Sequence, residues 1–144
     1  MTQMKASISE VMETMFYYPV ELKEELGLEE SGFFQAENKV IIAAIDFSGP
    51  LNGRLFLMIP EDVLGLMAEN LMGLETEKIS TAHVTGTAQE ALNMIAGNAF
   101  SKTPFDVPVD LGVPEIITAL PDKGLDHILM VETMDGMVAL GCDI

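Results

Sequence analysis

The spacing of hydrophobic and polar positions changes several times along the chain, and each change marks an element. Between residues 81 and 101, Val84, Ala88, Ala91, Leu92, Ile95 and Ala99 fall on one stripe of a helix turning about 100° per residue. Gly86, Glu90, Asn93 and Gly97 fall together on the opposite side. This pattern predicts the longest helix of the protein, with the apolar stripe on the core and one carboxylate beside one amide in solvent. Ser80 or Thr81 is placed to cap its start, and Lys102 before Pro104 to close it.

The other elements follow from the same reading. Val11, Met12, Met15 and Phe16 recur at helical spacing and predict a first helix, capped at Ser7 or Ser9 and running to about residue 17 before Pro19. The acidic stretch 21–30 reads as a short helix or loop. A short strand at 33–36 is expected to turn at Glu37 and Asn38 into KVIIAAIDFS, residues 39–48. That run is β-branched and almost continuously apolar, which predicts a central strand covered on both faces. Asn52-Gly53 suits a tight hairpin, with 54–59 as the returning strand. Pro60, Glu61 and Asp62 suit the first turn of a second helix, with Val63, Leu64, Leu66, Met67 and Leu71 on its buried side and Gly73 at its end. Beyond the long helix, 107–111 alternates, Pro114 interrupts, and 116–120 is a short apolar run. Residues 127–134 and 137–142 then flank Asp135-Gly136, a second two-residue hairpin signal. The expected fold is α+β, an antiparallel sheet of about five to six strands packed with three helices, in a single domain spanning residues 1–144.

Composition narrows the classes of function. A length of 144 residues is enough for one real core and cramped for two domains. Seven basic residues against 23 acidic ones give a net charge of −16, which repels nucleic acid and anionic membrane surfaces. The longest apolar run is far shorter than a spanning helix needs. The N-terminal stretch has no apolar signal core and carries Glu10 and Glu13, so a cytoplasmic location is expected. The lone Cys142 reads as a small apolar strand residue. His83 and His127 are too few for a histidine metal site, and Asp106, Asp110 and Asp122 show no spacing typical of a bound cation. No HExxH, GxSxG or GxGxxG is present, and no metal of its own is expected.

Glu90 and Asn93 remain as the candidates for chemistry. Three residues apart on a helix, their side chains are neighbours and present an acceptor and an orientable amide to one target. Spacing alone leaves two readings open: such a site, or two polar residues on a wet helix face. The stretch Glu90-Ala-Leu-Asn93-Met-Ile-Ala-Gly97-Asn98 resembles the ExxN signature helix of the CheX/CheC/FliY phosphatases of bacterial chemotaxis. FSGPLNGRLFLMIPEDVLGLMAENLMG, residues 47–73, is similar to the hairpin and helix before that signature in CheX-like domains, and ISEVMETMF, residues 8–16, to their first helix. The CheC-type pattern has Asp or Ser where this chain has Gly86, and Pro114 does not fall at the CheC spacing. With one ExxN, the resemblance is to CheX rather than CheC.

That resemblance implies removal of phosphate from the phosphoaspartate of a CheY-like response regulator. Asn93 would position the attacking water, and Glu90 would pair with a lysine of the regulator's active site. Mg2+ would be carried by the regulator, and no cofactor would belong to this chain. Gly97 and Gly86 would let the partner's backbone approach, and Met94 would touch it. A homodimer paired through sheet edges is also implied. The alternative within the same resemblance is a non-catalytic docking or switch-type domain, as in the middle domain of FliM.

Overall fold

The apolar run that dominates the pattern forms a nine-residue strand, and the rest of the fold is layered on it. The computed structural model describes residues 2–15, 21–22, 39–50, 52–73, 80–101, 109–118, 120, 125, 127–133 and 136–143. In chain order the elements are α1 (Thr2–Met15), β1 (Glu21–Leu22), β2 (Val40–Ser48), β3 (Gly53–Pro60), α2 (Glu61–Met72), α3 (Thr81–Ser101), β4 (Asp110–Leu111), β5 (Glu115–Ile117), β6 (His127–Thr133) and β7 (Gly136–Asp143).

All strand pairs are antiparallel, in the order β1-β6-β7-β3-β2-β4, with β5 also on β2. Because β4 and β5 share the free side of β2, the seven strands fill the six positions of that order, at the upper end of the expected range. Side chains alternate across β2 as a pleat requires. Ile41, Ala43, Ile45 and Phe47 join the helices in the main core, which also holds Leu55, Leu57, Ile59, Leu129, Val131, Val138 and Leu140. Ile42 and Ala44 face the other way into a smaller cluster with Phe56, Met58, Met130 and Ala139, against which Leu120 and Leu125 pack. The central strand is thus apolar from Val40 to Ile45, where both faces are covered, and turns polar at the exposed Asp46 and Ser48. Cys142 is buried in the main core, as a small apolar residue would be.

Several local expectations shift. The first helix starts at Thr2, so Ser7 and Ser9 lie inside it and neither caps it. Ser7 is completely buried, and its hydroxyl donates to Asn98 Oδ1 on α3 at 2.7 Å. Residues 16–20 lie outside the described residues. Of the stretch read as a short helix or loop, Glu21 and Leu22 pair with Glu132 and Val131 of β6 as a strand, and 23–30 lie outside the described residues. So do 33–36, 102–108 and 121–124, which leaves the expected short strand and the end of α3 beyond Ser101 undescribed.

Both hairpins sit one position off the two-residue signals. Phe47 pairs with Gly53, so Gly53 opens the returning strand. Gly49 takes the positive φ, 131°, and donates its N–H to Asn52 Oδ1 at 3.4 Å. Likewise Thr133 pairs with Gly136, which places Gly136 in β7 and leaves 134–135 between the strands. The Thr133 hydroxyl closes this end, donating to Gly136 O at 2.6 Å and accepting from Gly136 N–H at 3.1 Å. A side-chain clamp and the strand register override the preference of the dipeptide.

At the end of β3 the chain enters α2 with no residue between. Pro60 (φ −58°, ψ 141°) is both the last strand residue and the cap position, and Glu61 N–H donates to Lys39 O at 2.8 Å. Glu61 and Asp62 occupy the first turn, where the helix dipole favours acids, and Gly73 closes the helix with φ 65° and its N–H on Glu69 O. Val63, Leu64 and Met67 are buried and Leu71 packs on the core, but Leu66 is exposed and Ala68 takes its place.

The Ser7–Asn98 bond supplies a stability test. Replacing Ser7 by alanine removes only the hydroxyl and leaves Asn98 Oδ1 without its buried donor, a loss of about 1–3 kcal/mol. Urea unfolding of Ser7→Ala should show that decrease, and an unchanged midpoint would contradict the buried pairing.

Candidate functional site

Local chemistry starts α3 at a defined residue. Ser80 Oγ accepts from His83 N–H at 3.2 Å, and Ser80 N–H donates to His83 Nδ1 at 3.0 Å. This reciprocal cap assigns the role to Ser80 rather than Thr81, with a histidine where a capping box has Glu or Gln. From there the helix runs to Ser101 with Thr87, Ala88, Ala91, Leu92, Ile95, Ala96 and Ala99 buried. Val84 packs against the same core from the first turn.

Hydrogen bonds hold the flanks of α3. Asn98 takes the Ser7 hydroxyl of α1, and Gln89 Nε2–H donates to Pro114 O at 3.0 Å, beside β5. The nine positions between Gln89 and Asn98 turn the helix by about 900°, so the two bonds lie on opposite sides of its axis. With the core beneath, the one remaining quarter of the surface faces outward. Glu90 and Asn93 stand there, both exposed, with Gly86 and Gly97 half-exposed on the same strip. Each of the predicted residues therefore lies on or beside one face. Met94 sits at its margin, half-buried and packed against the core.

The glycines have no internal reason to be glycine. A Cβ built on Gly86 or on Gly97 meets no atom within 4 Å, and neither has a positive φ. Each costs the helix about 1 kcal/mol relative to alanine. What they do is leave the outer face without side chains at its two ends.

The site is a ridge. A cleft of about 370 Å³ does open beside the start of α3, walled by residues that include Val40, Ile42, Val84, Thr85 and Ile116, but neither Glu90 nor Asn93 lines it. Among the described residues no group of three or more His, Cys, Asp and Glu is arranged to hold a metal ion. His83 is occupied at the helix cap, and His127 lies exposed on β6. An exposed carboxylate and amide on an outward helix face offer an acceptor and an orientable amide to another molecule. Among the described residues no helix is long and apolar enough to cross a membrane.

Sequence reading missed the flanking bonds. Ser7 carries a signal only as a polar residue on the apolar side of α1. Gln89 binds a main-chain carbonyl 25 positions away, which side-chain pattern cannot reveal.

Comparison with known proteins bears on the family and the fold. The family model described as chemotaxis phosphatase CheX matches residues 41–122. Among curated proteins no significant sequence match is found. Solved structures are similar over nearly the whole chain. CheX from Vibrio vulnificus superposes with a TM-score of 0.77 at 17% identity, covering 99% of this chain and 93% of that one. CheX in the CheX–CheY–BeF3–Mg2+ complex from Borrelia burgdorferi gives 0.71 at 17% identity, covering 99% and 95%. The FliM middle domain from Vibrio alginolyticus gives 0.61 at 10% identity, covering 98% and 88%.

Because an added methyl meets open space, Gly86→Ala and Gly97→Ala should each raise stability, by about 0.5–1 kcal/mol. Denaturant unfolding of the two variants checks this, and a loss of stability would reveal a packing constraint at that position.

Proposed function

Because the chain belongs to the family of the chemotaxis phosphatase CheX, we propose that it removes phosphate from the phosphoaspartate of a CheY-like response regulator. The observation that carries the reading is the ridge, with Glu90 and Asn93 exposed side by side on a helix held on its other three sides. A phosphoaspartate lies in a recess of the protein that bears it, so a projecting face fits it where a pocket would not. The Borrelia burgdorferi structure pairs a CheX of this fold with CheY, BeF3 and Mg2+, and that supports a partner of the same kind here.

In this mechanism Asn93 enters the regulator's active site and uses its amide to hold a water in line with the phosphorus. Glu90 pairs with a lysine lining that site and fixes the depth and angle of entry. Phosphoryl transfer needs positioning and charge stabilisation more than covalent help from the protein, so one amide and one carboxylate suffice. The divalent cation belongs to the regulator and neutralises charge on the transferring group. Gly86 and Gly97 give clearance for the regulator's backbone, and Met94 adds an apolar contact at the margin. The protein acts in the cytoplasm as a single-domain homodimer.

A second reading keeps the fold and drops the chemistry. The match to the FliM middle domain is compatible with a docking domain that binds a regulator without hydrolysis. Exposure of both Glu90 and Asn93 on the one outward strip favours the enzyme.

Phosphate release from phosphorylated CheY-type regulators distinguishes the two. Asn93→Ala should lower turnover about a hundredfold or more while leaving KM nearly unchanged, because it removes positioning only. Glu90→Ala should raise KM about tenfold or more through the lost ion pair. Dephosphorylation no faster than the regulator's own rate, or unaffected by both substitutions, would sink the catalytic reading. Gel filtration that gives a monomer at high concentration would remove the homodimer.

A further inference from the structure

The side of the sheet next to β2 is irregular at one point, and the irregularity lies beside the candidate site. Phe47 of β2 pairs with Leu111, and Ala44 pairs with Glu115. Ile45 and Asp46 therefore face three residues, Gly112, Val113 and Pro114, where an unbroken strand would supply two. The extra residue is a bulge, a device that turns a side chain out of the ladder.

Both ends of the bulge are tied down. Gly112 N–H donates to Asp46 O at 2.8 Å, and Pro114 O accepts from Gln89 Nε2 at 3.0 Å. Between these anchors Val113 is 87% exposed, the most exposed of the large hydrophobic residues on the described surface. Lone exposed apolar side chains are common on surfaces. This one differs because its backbone is held on both sides, and because one anchor is a residue of α3 itself. Gln89 immediately precedes Glu90 and lies one turn before Asn93, about 40° around the helix from it.

We propose that Val113 is a specificity-determining contact for the protein that docks on α3, held in place by Gln89 as a positioning residue. The proposal rests on the reading of that partner as a CheY-like regulator. A specific interface covers about 800 Å² on each partner, many times the area of two side chains. A body seated over Glu90 and Asn93 therefore extends across the flank where Gln89 holds the bulge. There it meets an apolar knob already ordered, so that burying Val113 gains contact without the entropy of fixing a loose segment. With 7 basic residues against 23 acidic ones the chain offers few cationic groups to a partner, and an apolar contact adds affinity that does not depend on charge. On this account Val113 contributes to the choice among regulators and takes no part in the chemical step.

Steady-state dephosphorylation of CheY-type regulators charged with acetyl phosphate tests this, using the full chain. Val113→Ser should raise KM about tenfold for the preferred regulator, equivalent to about 1.4 kcal/mol, with kcat unchanged. Val113→Ile should keep KM within about twofold, since it preserves the apolar contact. Gln89→Leu should raise KM in the same direction, because the bulge loses one anchor. Val113 is 87% exposed, so thermal unfolding of Val113→Ser should match that of the unaltered protein. If the unaltered chain is active and Val113→Ser leaves KM unchanged, the inference is overturned. A change of oligomeric state on gel filtration with KM unchanged would assign Val113 to a second copy of the chain and overturn it equally. Absence of turnover by the unaltered chain on every regulator tried would overturn the phosphatase reading, and this inference with it.

Discussion

Packing of α3 on the hairpin of β2 and β3 is the constraint on which the rest of the molecule depends. Ala88, Ala91, Ala96 and Ala99 are completely buried there, and their small side chains let the helix lie close to the strands. Leu92 and Ile95, also completely buried, fix its rotation, because a turn of one residue would carry both toward solvent. Losing either to a cavity costs about 2–5 kcal/mol, well beyond what polar contacts on the outside supply. The rotation that buries the alanines is the same one that sets Glu90 and Asn93 outward. Core and candidate site are two consequences of one angle.

A helix seated only from below can still rock about its axis, and the side bonds oppose that. Ser7 pulls Asn98 toward α1, while Gln89 reaches the main chain at Pro114 on the other flank. The three-helix layer and the outer strands are thereby joined to one element. An inner polar bond such as Ser7–Asn98 adds little net stability when made but is costly to leave half-made, so it selects a single register of α1 on α3.

Much of this was legible in the chain because burial imposes periods. The stripe of α3 and the two-sided strand β2 were readable from spacing, as was the α+β class, since each has many positions that agree. Failures came where one or two residues decide. Asn52-Gly53 and Asp135-Gly136 look like turn centres, yet Gly53 and Gly136 open strands, because pairing registers are set by the whole sheet. Leu66 fits the helical stripe of α2 but is exposed, since the stripe is wider than the surface it covers. Ser7 reads as a cap because serine favours caps, and the register of α1 made it an interhelical donor instead. At the candidate site the pair was visible in spacing, while its restraint was not, because Pro114 contributes a backbone oxygen that every residue possesses.

The bare ends of the outward strip have a mechanical meaning. Gly86 and Gly97 are eleven residues apart, so about 16 Å of helix separates them, with Glu90 and Asn93 between. On this stretch the raised part is two side chains wide and the ground on both sides drops to the backbone. In the docking proposed above, how far the pair reaches into another surface would be set by the height of the side chains above the main chain, with no shoulder to stop it sooner. A single methyl at either end would act as a spacer, firming the helix while shortening its stroke. The helix gives up some of its own stability at these positions, and in the proposed docking that cost would be exchanged for reach.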